Sequence, residues 1–109
     1  MPYDPALAER VRKLVARRKN FTEKKMFGGV GFLLAGNMCV GVWKEWLIVR
    51  LGPDEAEAAL REPHVKEFDI TGKAMRGWAM VGPGGLEGDD DLSRWCEAAI
   101  KFVRTLPEK

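Results

Sequence analysis

Residues 28–51, GGVGFLLAGNMCVGVWKEWLIVRL, hold three apolar runs parted by two short interruptions. No other stretch narrows the choice of fold as much. Gly36-Asn37 parts the first two runs and Lys44-Glu45 the last two. Two-residue interruptions between apolar runs are hairpin signals, so the spacing predicts a three-stranded antiparallel meander. Lys44-Glu45 is the weaker turn, because neither residue favours positive φ. With these pairs as turns, Ala35 opposes Met38 and Trp43 opposes Trp46. One face then carries Leu33, Met38, Val40, Val42, Leu47, Val49 and Leu51, an aliphatic bed for helices. The other carries Val30, Phe32, Leu34, Cys39, Gly41, Trp43, Trp46, Ile48 and Arg50, with Phe32 lying over Gly41. A sheet that is apolar on both faces needs cover on both sides. The aromatic face is therefore expected to meet a protein partner or a second copy of the chain, or else to lie under the terminal helix.

The flanking segments supply helices. Leu7, Val11, Leu14 and Val15 form one apolar stripe over residues 5–19, with Asp4 as cap and Pro5 at the first helical position. Pro53 opens a short helix with Asp54 and Glu55 in its first turn, and Pro63 closes it. Residues 66–70 and 75–81 read as a second hairpin around TGKA. A last helix runs from about Asp90 to Thr105, with Leu92, Trp95, Ala99, Phe102 and Val103 on its apolar stripe. The expected fold is α+β. A five-stranded, mainly antiparallel sheet carries N-terminal, short middle and C-terminal helices, with residues 1–109 as one domain.

Charge is uneven along the chain. Residues 1–27 carry eight Lys/Arg against three Asp/Glu, a net +5, and the remainder carries ten against thirteen, a net −3. The basic residues Arg10, Lys13, Arg17, Lys24 and Lys25 are thus candidates for nucleic-acid contact, with a solvated helix face as the plainer reading. Cys39 and Cys96 lack zinc or CxxC spacing and fit core thiols of a reducing cytoplasm. The N-terminus has no apolar signal region and no run approaches a membrane span, so a cytoplasmic protein without membrane contact is expected.

Reactive residues are sparse. His64 is the one histidine and Ser93 the one serine, and no nucleophile-elbow pattern surrounds Ser93. Cys39 paired with His64 is the remaining catalytic option, set against a buried strand cysteine. One histidine makes a histidine-based metal centre unfavourable, and Asp89-Asp90-Asp91 suits a helix start. No metal or cofactor is expected. The glycines of KKMFGGVGFLL fit neither phosphate-binding template: no Lys-Ser or Lys-Thr follows, and Leu34 stands where a dinucleotide loop needs glycine. They lead into a strand and not a helix, so they are read as a bend where another backbone comes close. Arg76 and Trp78 alternate on one side of a strand, a pairing used at partner-binding surfaces and on single-stranded nucleic acid.

Taken together, KMFGG at 25–29, MCVGVW, LIVR and RGW resemble the TfoX/Sxy N-terminal domain family over nearly the whole chain. The resemblance implies an α+β domain with an antiparallel sheet. The family's founders regulate natural transformation, acting with the cyclic-AMP receptor protein, and carry a second, C-terminal domain. This chain, ending at Lys109, is expected to be a stand-alone N-terminal domain. The family has no established catalytic residues to carry over, and its motif falls on Lys25, Met26, Phe27, Gly28 and Gly29. The expectation is a non-enzymatic regulatory domain that binds a protein partner, such as a transcription factor, or pairs as a homodimer. Its expected contacts are Phe32, Trp43, Trp46, Arg50, Arg76 and Trp78. The alternatives are a nucleic-acid module built on the basic first helix, or an enzyme using Cys39 or His64.

Overall fold

The computed structural model describes residues 3–26, 28–69 and 76–107. Helix α1 spans Pro5–Val15 and is capped by Asp4, whose carboxylate accepts from the backbone N–H of Ala6 and Leu7. It ends four residues before the expected limit, and Asn20, at φ 69°, turns the chain into a strand. That strand, β1 (Phe21–Met26), was not anticipated. It is followed by β2 (Gly29–Leu34), β3 (Asn37–Trp43) and β4 (Trp46–Arg50), then α2 (Pro53–Ala59), β5 (Val65–Glu67), β6 (Trp78–Val81), a short 3-10 turn (Pro83–Gly85) and α3 (Asp89–Val103). The sheet therefore has six strands, not five, in the order β1-β2-β3-β4-β6-β5, with every neighbouring pair antiparallel. The second hairpin is present as β5 against β6, although its TGKA turn lies outside the described residues.

The first meander turn differs by one residue from the expected one. Leu34 pairs with Asn37, so Ala35 and Gly36 form the loop, at φ 52° and 85°. Asn37 is drawn into the strand because its side-chain amide donates to the Pro107 carbonyl at 2.8 Å, a contact between residues far apart in the sequence. A bulge follows. Leu33 pairs with Met38 but Phe32 pairs with Val40, leaving Cys39 as the extra residue. One added residue exchanges faces along the rest of the strand pair. Val30, Phe32 and Leu34, assigned above to the aromatic face, lie on the helix side, and Cys39 is buried there with them. Met38 and Leu33 turn to the opposite side. Met38, rather than Phe32, lies over Gly41: a Cβ on that glycine would meet Met38 Cε at 2.8 Å.

The second turn is as expected, with Trp43 opposite Trp46. Lys44 takes φ 52° there despite its side chain. Its carbonyl accepts the Asp4 N–H at 2.7 Å, so the start of α1 holds the turn in place.

All three helices lie on one side of the sheet. Leu7, Val11 and Val15 of α1, Ala56 and Ala59 of α2, and Leu92, Trp95, Cys96, Ala99 and Val103 of α3 form one core with Val30, Phe32, Val40, Val42, Leu47, Val49, Ala79 and Val81. The terminal helix covers this face, not the aromatic one. The result is a two-layer α+β structure in which, among the described residues, one sheet face has no helix over it.

Candidate functional site

The uncovered face can be built strand by strand. Alternation puts Lys24 of β1, Gly31 of β2, Gly41 of β3, Ile48 of β4, Met80 of β6 and Lys66 of β5 in one row across all six strands. Beside this row stand the cross-strand pair Trp43 and Trp46 and the pair Arg50 and Trp78. Ile48, Met80 and Phe68, which follows β5, form a small buried cluster, and the three tryptophans pack around it half-buried. Phe68 meets Trp78 with ring centroids 5.4 Å apart and planes tilted by 50°, a favourable aromatic contact.

Each of these half-buried tryptophans holds a cation. Lys44 Nζ lies 4.6 Å from the Trp43 ring centroid, Lys66 Nζ 4.7 Å from that of Trp46, and the Arg50 guanidinium 5.3 Å from that of Trp78. The aliphatic stems of these side chains shield the indoles while the charges stay at the surface. Arg76 is exposed in the turn before Trp78. The carboxylates of the two edge strands, Glu23 and Glu67, fall on the other side, in register with Phe32 and Ala79. The strand positions of the uncovered face thus carry cations and no carboxylate.

The structure brings Trp43, Trp46, Arg50 and Trp78 together on this face, with Arg76 beside it. Phe32 is not among them. It is 2% exposed, within the helix-side core, because of the bulge at Cys39. Lys44 and Lys66 were missed as contributors to this face. The signal was their placement beside tryptophan in the turn and opposite Met80 in the strand ladder, and only the second needs the fold.

The basic first helix is differently disposed. Arg10 pairs with Asp89 at 3.3 Å, Arg18 donates to Glu97, and Arg12 bridges Glu9 and Glu23. The bidentate Arg12 contact, at 2.7 and 2.8 Å, lowers the Glu23 pKa below the usual carboxylate range. Arg10, Lys13, Arg17 and Arg18 line an open groove of about 530 Å³ between α1 and α3, whose other wall includes Asp89 and Glu97. Lys24 and Lys25 sit apart on β1 and project to opposite sides of the sheet.

The KMFGG motif marks the β1–β2 hairpin, in which Met26 pairs with Gly29. Phe27 and the side chain of Met26 lie outside the described residues. Gly28 has φ 76°, and a Cβ on Gly29 would stand 2.3 Å from the Val42 carbonyl oxygen. That is far inside contact distance, so the second glycine is required by the neighbouring backbone.

The nucleophile candidates are separated from this face. Cys39 is fully buried on the helix side, and burial, with Cys96 nearby, pushes its thiol up to about 12. Burial raises Cys96 likewise to about 12. Neither supplies thiolate near neutral pH. His64 is exposed before β5, its ring against Gly84 of the 3-10 turn, and Ser93 lies partly buried in the first turns of α3.

A family model of the TfoX N-terminal domain matches residues 13–103. The chain belongs to the TfoX N-terminal domain family. No curated protein and no solved structure matches it. The matched span begins within α1 and ends at the last residue of α3, so it takes in the whole sheet and with it the tryptophan-bearing face.

Proposed function

We propose that this member of the TfoX N-terminal domain family is a non-enzymatic, cytoplasmic regulatory domain that works by contact, with the uncovered sheet face as its contact surface. One observation carries the reading. A sheet that, among the described residues, is covered by helices on one side presents on the other Trp43, Trp46, Trp78 and Arg50 together. Tryptophan and arginine are the residue types that concentrate binding energy at contact surfaces. The buried, protonated state of Cys39 supports a non-catalytic role. The regulatory part of the proposal rests on membership of this family and on the role that the resemblance implies, action with a transcription activator.

A pull-down from the native lysate with Trp43→Ala/Arg50→Ala tests it, after circular dichroism has verified that the variant is folded. The expected result is loss of the species that the parent chain retains. Equal retention by both overturns the assignment of this face.

A further inference from the structure

Resting on that reading, we propose that the uncovered face takes a single strand of nucleic acid, with bases stacked on the tryptophans and phosphates held by the cations around them. Charge decides first. The strand positions of this face hold Lys24, Arg50 and Lys66 and no carboxylate, and the adjoining turns hold Lys44 and Arg76 against Glu45. Five cations against one carboxylate would repel a second copy in a self-complementary contact, so the occupant is an anion. Planarity decides next. Three indoles stand around a middle where Gly31 and Gly41 pair directly, with only the flexible end of Met38 lying over Gly41. An aromatic sheet edged by lysine and arginine is a stacking platform. Unpaired bases are planar at every position of a polyanion, whereas an acidic peptide offers few planar groups. The cations rest on the indoles at 4.6–5.3 Å, so charged and stacking groups lie side by side, and an arriving base takes the ring face as the cation moves to a phosphate. The first helix lacks this combination, since its arginines face Glu9, Glu23, Asp89 and Glu97.

The test uses the whole chain with oligothymidylate and oligouridylate of about 20 nucleotides, enough to exceed a single-sheet footprint. Tryptophan fluorescence reports binding, because three of the four tryptophans lie on this face and the fourth, Trp95 of α3, is buried in the helix-side core. Saturable quenching by either strand at low salt is expected, with a base-paired duplex of the same length binding at least tenfold more weakly. The variant Lys24→Gln/Lys44→Gln/Lys66→Gln changes exposed residues only. It is expected to bind at least tenfold more weakly and to flatten the log–log salt slope by about 2, the loss of three contacts to a single strand. Lys13→Gln/Arg17→Gln, in and just after α1, is expected to leave both unchanged. Absence of quenching by both strands overturns the proposal, as does equal binding of duplex. So does loss of binding in the α1 variant alone, or poly-glutamate binding as tightly as the oligonucleotide, which would assign the face to an acidic protein. A sedimenting dimer that the triple lysine variant disperses would assign it to a second copy. If the oligonucleotides fail while the pull-down still depends on Trp43 and Arg50, the contact-surface reading stands and this one falls.

Discussion

The two faces of this sheet are closed by different means. The helix side is filled by branched aliphatic residues and Phe32, and three helices exclude water from it. The other side has no helix among the described residues. It closes itself with a three-residue cluster, three half-buried indoles and the stems of Lys44, Arg50 and Lys66. A face covered by helices has most of its apolar area withdrawn from water and contributes most of the stability. A face covered by its own long side chains keeps charge and aromatic surface within reach of another molecule. The difference teaches that one sheet can be closed in two ways, by packed helices on one side and by its own long side chains on the other.

Substitutions across this divide test it. The largest expected effect is Phe32→Ala on the covered side, about 3–5 kcal/mol by denaturant unfolding, against about 1–2 kcal/mol for the half-buried Trp46→Ala. Equal losses would mean that the aromatic side is as much a core as the other. Alkaline unfolding probes the covered side alone. Both thiols have folded values raised from 9.0 to about 12. Their contribution is therefore fully present below pH 9.0 and is lost as pH rises towards about 12. The expected fall is about 1.4 kcal/mol per pH unit for each thiol within that window. Cys39→Ala/Cys96→Ala should be less pH-dependent there than the parent, and parallel profiles would show that the thiols are not so enclosed.

Two glycines sharpen the comparison further. Gly29→Ala must displace the Val42 backbone and is expected to cost about 1–3 kcal/mol, whereas Gly41→Ala first meets the mobile end of Met38 and should cost about half as much or less. Both positions lie on the uncovered side, so a reversed order would show that the Val42 backbone there yields more easily than the end of Met38. The smallest effect belongs to Arg12→Ala. Its exposed pair with Glu23 is expected to be worth under about 1 kcal/mol and to fade with added salt, which thermal melts at two ionic strengths would show.

Much of the fold was legible because its signals are local. The Asp4 cap of α1, the stripes of α1 and α3, the Pro53 start of α2 and the Trp43–Trp46 hairpin follow from residues within a turn or two of one another. Strand β1 was not legible. FTEKKM has a charged, polar composition that suits an exposed edge strand and gives no apolar alternation to read. The candidate surface was half legible. Trp43, Trp46, Ile48, Gly41 and Arg50 kept their assigned side, since β3 and β4 are joined by a turn with no bulge. Val30, Phe32, Leu34 and Cys39 changed sides because the register of β2 against β3 depends on one extra residue.

The sequence by itself determined which segments are helices and, β1 apart, strands, the family, and the presence of an aromatic, cation-bearing strand pair. Those properties are written in periods of two and 3.6 residues and in turn chemistry. Only the tertiary structure decided which face of each strand is covered. Asn37 reaches across to Pro107, Ala35 and Lys44 accept positive φ under contacts from distant segments, and Cys39 is squeezed out of register. A one-residue shift leaves composition and periodicity unchanged but reverses a strand's two faces. Only the assembled sheet shows that the helices take one side and leave the tryptophans and lysines on the other.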